Sequence, residues 1–275
     1  MSARLRGAFA RAKARGGPTL AAYVMVGDPS WSASVDAALA CVDAGAGIIE
    51  LGAPFSDPIA DGPTIARAGA RALERGTRLE DVFAAAAAIR ARTDAPLVVM
   101  GYANPIHRHG LERFASSASR AGVDGVLVPD LPFDHAVELR AALAPRAIAL
   151  PHLVAPTTTP ERMRAIVRAA SGFVYLVSAT GVTGAARPVL DEVRANVAAL
   201  KQHTDLPVLA GFGLRSPEQL AALASASPPD GVVVGSAIVE LAGADHPSEA
   251  ARITAVSHLV RALVCALEPK ECSPC

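Results

Sequence analysis

The sequence predicts an α/β chain folded as a single (β/α)8 barrel of the TIM-barrel type, with one extra helix at its N-terminus. Three observations carry this. Eight short apolar runs recur along the 275 residues. Each is rich in Val, Ile and Leu without strict alternation, the pattern of parallel strands buried on both faces. Between them, apolar residues return at three- and four-residue spacing in segments often opened by Ser, Thr or Asp and closed by Gly, as in helices. Strands alternating with helices build right-handed βαβ units, and eight such units in a chain of this length fit a closed barrel. A doubly wound open sheet is the alternative. It would normally carry a GxGxxG turn after its first strand, and VMVGDPSW has none.

Taken in order, residues 3–15 (ARLRGAFARAKAR) read as the extra helix, placed across the barrel floor. The strand runs follow: LAAYVMVG (20–27), GIIELGA (47–53), PLVVMGYA (96–103), GVLVPDLP (125–132), AIALPHLVA (147–155), FVYLVSAT (173–180), PVLAGFG (207–213) and GVVVGSAIV (231–239). Segments such as SVDAALACVDAG, LEDVFAAAAAIRA, LERFASSASRAG and SPEQLAALASA supply helices between them. No linker or second domain is visible, so residues 1–265 are expected to form one domain. Residues 266–275 read as a disordered tail, and its CSPC ending (Cys272 and Cys275) as part of that tail rather than a redox or metal pair.

Charge narrows the function. The 26 basic and 26 acidic residues balance, so nothing argues electrostatically for nucleic acid or an anionic membrane surface. No apolar run reaches the roughly 20 residues of a membrane helix. The basic N-terminus lacks the continuous apolar stretch of a secretory signal. A cytoplasmic enzyme is expected.

Barrel active sites sit at the C-terminal ends of the strands. The polar residues there are Asp28, Glu50, Asp57, Asp61, Tyr102, Asn104, Asp130, His152, Tyr175, Ser178 and Thr180, followed by GFG (211–213) and GSA (235–237). Glycine turns after the seventh and eighth strands let backbone N–H groups approach an anion, and a following helix N-terminus favours negative charge. With TGVTG (180–184), they point to a phosphate-bearing substrate. The three lysines, Lys13, Lys201 and Lys270, all lie off the strands, which removes a Schiff-base route. His107 and His109 lack a third ligand nearby and read as solvated loop histidines, so no metal is expected. His152 reads as a strand-end residue with a hydrogen-bond partner. Asp57 before Pro and Asp61 before Gly fit turn chemistry. Glu50, inside an apolar strand, does not. Desolvation there would raise its pKa and suit it to donate and accept protons near neutral pH.

Several blocks together resemble the tryptophan synthase α subunit family. They are ELGAPFSDPIADGP, VGDP (26–29), GYANPI (101–106), VLVPDLP (126–132), LVAPTTTPER (153–162), YLVSATGVTGA (175–185), LAGFG (209–213) and VVGSAIV (233–239), in the family's order. The resemblance implies a lyase that cleaves indole-3-glycerol phosphate to indole and glyceraldehyde 3-phosphate without metal or organic cofactor. Glu50 would move protons at C3 of the indole ring and at the glycerol hydroxyl, and Asp61 would hold the indole N–H. Tyr175, Thr183, Gly184, Phe212, Gly213, Gly235 and Ser236 match substrate- and phosphate-binding positions. The family partner is a pyridoxal-phosphate β subunit in an α2β2 assembly, and Pro54, Phe55, Asp57, Asn104 and Pro132 match the contact surface. Departures are Tyr23, Val24 and Met25 where Phe-Ile-Thr is frequent, and Ala66 where Gln is common. A stand-alone indole-releasing lyase stays open as an alternative. So does an idle activator of a β subunit, against which the presence of both Glu50 and Asp61 argues.

Overall fold

The structure is a computed structural model that describes residues 2–177, 187–211, 213–225 and 228–268. Thr183, Gly184, Phe212, Ser178, Thr180, Lys270, Cys272 and Cys275 lie outside these residues, as does most of the expected tail. Eight parallel strands form the centre: β1 (Thr19–Met25), β2 (Ile48–Gly52), β3 (Leu97–Met100), β4 (Gly125–Leu127), β5 (His152–Val154), β6 (Val174–Val177), β7 (Val208–Gly211) and β8 (Gly231–Val234). Helix α1 (Ala3–Ala14) precedes them. The outer layer comprises α2 (Trp31–Asp43), α3 (Pro63–Glu74), α4 (Leu79–Arg90), α5 (Ala103–His109), α6 (Leu111–Arg120), α7 (Val137–Leu143), α8 (Pro160–Ala169), α9 (Arg187–Lys201), α10 (Pro217–Ala224), α11 (Ser236–Gly243) and α12 (Glu249–Leu267).

The hydrogen-bonded order is β4-β3-β2-β1-β8-β7-β6-β5. A parallel bridge between Gly125 and Ala149 joins the two edges. There the Val126 N–H donates to the Ala149 carbonyl (2.8 Å) and the Ala149 N–H to the Asp124 carbonyl (2.9 Å). The barrel predicted from eight apolar runs is therefore the fold observed.

Its floor is an apolar plug. Ala21, Ile48, Val98, Leu127, Ala149, Phe173, Leu209 and Val233 reach one cluster from around the barrel, and Leu5, Ala8 and Phe9 of α1 close it from below. The Phe9 and Phe173 rings lie 6.2 Å apart. Helix α1 starts where the Ser2 hydroxyl accepts the Leu5 N–H (3.2 Å), and its apolar face covers the floor as its sequence predicts. Each of its Val, Leu, Ile and Phe side chains taken from water stabilises by about 1.5–3 kcal/mol.

Predicted strands overrun the observed ones at the mouth. The run PLVVMGYA ends in the first residue of α5, and GVVVGSAIV continues into α11. Apolar composition is common to a buried strand and a buried helix start, so it does not mark the boundary. Helix α12 is the one described helix long and apolar enough to cross a membrane. It lies against α2, α10, α11 and β1, with Val256, Val260, Leu263 and Leu267 buried.

Candidate active site

Strand β2 turns Ile48 into the floor plug, so the period of two directs Glu50 and Gly52 to the lumen above it. Glu50 is 3% exposed, and its Oε1 has no hydrogen-bond partner among the described residues. Burial pushes its pKa up to about 8, and the negative charge of Asp61 adds to the rise. The loop after β2 then folds back over the lumen. The Asp61 N–H donates to the Pro58 carbonyl (3.0 Å), and Asp61 is pushed up to about 6 by burial, with a hydrogen bond from the Tyr102 hydroxyl pulling it back down.

Two further tyrosines face these acids. Tyr23, the cross-strand partner of Glu50, is 5% exposed. Burial and then the Asp61 and Glu50 charges hold its phenol well above the usual range. Tyr175 is raised by burial, then by Glu50 and Asp61. Glycines make room for both: a Cβ on Gly52 would lie 2.0 Å from the Tyr23 hydroxyl, and one on Gly211 would lie 2.4 Å from that of Tyr175. Met25, Ile65, Ala68, Ala72 and Val239 cluster with Tyr23, and Met100 packs against them, which gives the polar groups an apolar surround. Met25 is thus buried against α3.

The other expected residues divide. Asp57 is exposed; its carboxylate accepts the Ser56 hydroxyl (2.5 Å) and its carbonyl the Ile59 N–H (2.9 Å), a turn. Pro54, Phe55 and Asp57 sit on the loop after β2, Asn104 in the first turn of α5, and Pro132 after β4, all on one side of the mouth. Ile59 joins them at 81% exposed, a position that sequence reasoning missed. Gly213 takes a left-handed conformation (φ 70°). Gly235 caps α11, whose first residue is Ser236 and whose opening N–H groups meet no side-chain cap.

Asp28 and Asp130 belong to the framework. Both Asp28 carboxylate oxygens are taken by Arg71 (2.8 and 2.6 Å). Asp130 accepts the Ala103 N–H at the start of α5 (2.9 Å). Two histidine expectations need correction. His152 shares the outward parity of Leu150 and Val154, which lie in the core between strands and helices. Its Nε2 has no partner among the described residues, and burial, then Arg140, lowers it to about 4, so the ring is neutral. His107 and His109 both lie in α5 rather than in a loop; His107 is exposed as expected, but His109 is not solvated. It ends α5, packs edge-on against Phe83 and Phe114, and its Nδ1 lies 3.3 Å from Glu80. The apolar side of α4 claimed it. Among the described residues no three His, Cys, Asp or Glu side chains converge as metal ligands would.

Tyr23 and Tyr102 are the functional-site residues to which the sequence reading gave no role. The signal for Tyr23 was available, since parallel register sets it beside Glu50. Near neutral pH this lumen holds one carboxyl that is protonated and one that is ionised, in a barrel whose Gly235 turn after β8 opens onto the α11 N-terminus. A buried acid able to give up and recover a proton beside a fixed negative charge defines an acid–base barrel enzyme acting on a small anionic substrate.

Comparison with known proteins gives the family. The family model described as "Tryptophan synthase alpha chain" matches residues 9–266. Tryptophan synthase alpha chains of Geobacter sulfurreducens and Chloroflexus aggregans are 46% and 42% identical to this chain. The first match covers 86% of this chain and 89% of the relative, the second 96% and 98%. Among solved structures, a chain of Mycobacterium tuberculosis tryptophan synthase superposes with a TM-score of 0.88 at 39% identity, over 98% of this chain and 100% of that one. The tryptophan synthase alpha chain of Legionella pneumophila gives 0.85 at 32% identity, over 97% and 98%. The chain belongs to the tryptophan synthase alpha chain family.

Proposed function

We propose that this chain cleaves indole-3-glycerol phosphate to indole and glyceraldehyde 3-phosphate by a retro-aldol reaction, as the α subunit of a tryptophan synthase. The observation that carries the reading is the pair of lumen carboxyls held at different protonation states, Glu50 near 8 and Asp61 near 6.

At neutral pH the protonated Glu50 donates to C3 of the indole ring, and the positive charge that develops at the ring nitrogen is offset by ionised Asp61. Glu50, now a carboxylate, takes the proton from the glycerol hydroxyl next to the ring. The carbon–carbon bond breaks, its electron pair returns to the ring, and an aldehyde leaves with the phosphate. Glu50 ends as it began. One carboxyl can serve both steps because its raised pKa makes donation and acceptance comparably easy.

Gly213, Gly235 and Ser236 would receive the phosphate at the α11 N-terminus. Thr183, Gly184 and Phe212 are proposed substrate contacts on resemblance alone, and Tyr175 lines the ring end. Pyridoxal phosphate is assigned to the β subunit. For this chain the proposal needs no cofactor, because the lumen carboxyls supply the proton transfers; Lys13 lies on α1 and Lys201 at the end of α9, away from the lumen. Pro54, Phe55, Asp57, Asn104 and Pro132, with Ile59, are proposed to meet that subunit in an α2β2 assembly. A cytoplasmic location accords with a subunit of an amino-acid biosynthetic enzyme.

The test is indole release by the purified chain from indole-3-glycerol phosphate, with and without a tryptophan synthase β subunit. Wild type is expected to release indole, faster with the partner, and Asp61→Asn to lose about 10²–10³-fold in kcat. No indole from wild type under either condition would sink the reading.

A further inference from the structure

The loop that carries Asp61 has one side chain beneath it that the mechanism above does not use. Tyr102 is 3% exposed and stands at the N-cap of α5. The Asp130 carboxylate fixes that helix start through the Ala103 N–H, so the Tyr102 backbone is held from the β4 side. Its ring stacks on Phe55, with centroids 5.1 Å apart and planes 29° from parallel. Its hydroxyl accepts the Ala60 N–H (3.2 Å), from the residue before Asp61, and hydrogen-bonds the Asp61 carboxylate itself. One side chain therefore grips the loop at Phe55, Ala60 and Asp61, at both ends of the segment between strand and acid.

We propose that Tyr102 is a positioning residue for the lyase reaction: its hydroxyl aims the Asp61 carboxylate at the substrate nitrogen, and its ring ties that aim to the seating of Phe55 on the mouth of the barrel. The inference rests on the role given to Asp61 above. The loop from 53 to 62 (APFSDPIADG) meets the Tyr102 hydroxyl at its Ala60 N–H and at the Asp61 carboxylate. The same hydrogen bond stabilises the ionised form, consistent with the downward pull on its pKa. The stack gives partner docking at Phe55 a short physical route to the acid.

The test is Tyr102→Phe in the full chain, which keeps the stack and removes the hydroxyl. We expect kcat to fall about tenfold, as loss of a hydrogen bond to a charged group implies. KM should change less than kcat, and the acid limb of the pH–kcat profile should move up by about one unit. A merely structural tyrosine would lower Tm and leave that limb in place. Phe55→Leu, which keeps the hydroxyl and removes the stack, should move the limb in the same direction by less. An unmoved limb in whichever variant folds overturns the inference. Asp61→Asn separates the two ideas: if it retains full activity, the role of Asp61 fails, whereas an inactive Asp61→Asn with an unmoved limb in Tyr102→Phe removes only Tyr102.

Discussion

The floor and the lumen above it are built by the same strands and treat charge in opposite ways. At the floor the acids are partnered: buried Asp124 receives Arg90 (2.7 Å) and the Leu97 N–H (3.0 Å), and partly exposed Asp230 receives Lys201 and the Val208 N–H. Two residues further along the lumen the rule reverses. Ile48 gives way to Glu50, Ala21 to Tyr23 and Phe173 to Tyr175, and Glu50 keeps an oxygen without a partner. A buried carboxyl without a cation costs stability and stays protonated near neutral pH. The apolar plug and its paired acids thus offset a destabilised lumen, and the unpaired carboxyl is where the chemistry sits.

Neutralising the lumen acid should have the largest effect. Glu50→Gln should lower kcat by about 10³-fold or more, since the residue supplies both proton transfers, while the fold persists. Stability should respond in the opposite sense. Glu50 has its folded pKa raised to about 8 from an ordinary 4.5, so the native state binds the proton more tightly than the unfolded chain. Wild type should therefore lose stability as pH rises from about 4.5 to about 8, by up to a few kcal/mol. Thermal melts across that range should fall for wild type and run flatter for Glu50→Gln. A variant that melts lower than wild type at pH 8 would contradict the unpaired, destabilised carboxyl.

The converse substitution belongs at the floor. Phe173→Ala removes a 2% exposed ring that packs on Phe9 and should cost about 3–5 kcal/mol. Urea unfolding measures the loss. Activity per folded molecule should stay within about twofold, because Phe173 sits in the floor plug with Leu5 and Phe9, two residues before Tyr175 on the strand and below the lumen acids. A large fall in kcat with unchanged stability would mean the two ends are not separable.

The same contrast explains what was legible in the sequence. The barrel was, because eight apolar runs and the apolar face of α1 report burial directly. Glu50 was, because an acid inside such a run has no structural excuse. The choice between Asp57 and Asp61 was not readable from spacing: both precede turn formers, and the loop is held at Ala60, next to Asp61, by the hydroxyl of Tyr102, 42 residues away in sequence. The side on which His152 faces was equally hidden, since β5 has only three residues and offers too little pattern to fix its parity. Strand interiors declare themselves through composition. The mouth depends on loops whose paths are set by distant contacts.

The smallest effect comes from the space behind the tyrosines. Gly52 follows Glu50 on the same face of β2, and a Cβ there would lie 2.0 Å from the Tyr23 hydroxyl and 2.5 Å from its ring carbon. Gly52→Ala must therefore push the Tyr23 ring aside inside a packed cluster, at about 1–3 kcal/mol for overpacking. Tyr23 lies beside Glu50 in register, so the displacement should also lower kcat, by about tenfold if it disturbs one hydrogen-bonding group near the acid. In a Tyr23→Leu background the alanine has lost its obstacle, and its stability cost should shrink to a fraction. The double-mutant cycle, read by urea unfolding, gives the coupling between the two positions. Additive costs would mean that Gly52 is small for the backbone's sake alone, and that the mouth is shaped by its strands rather than by the side chains crowding its acids.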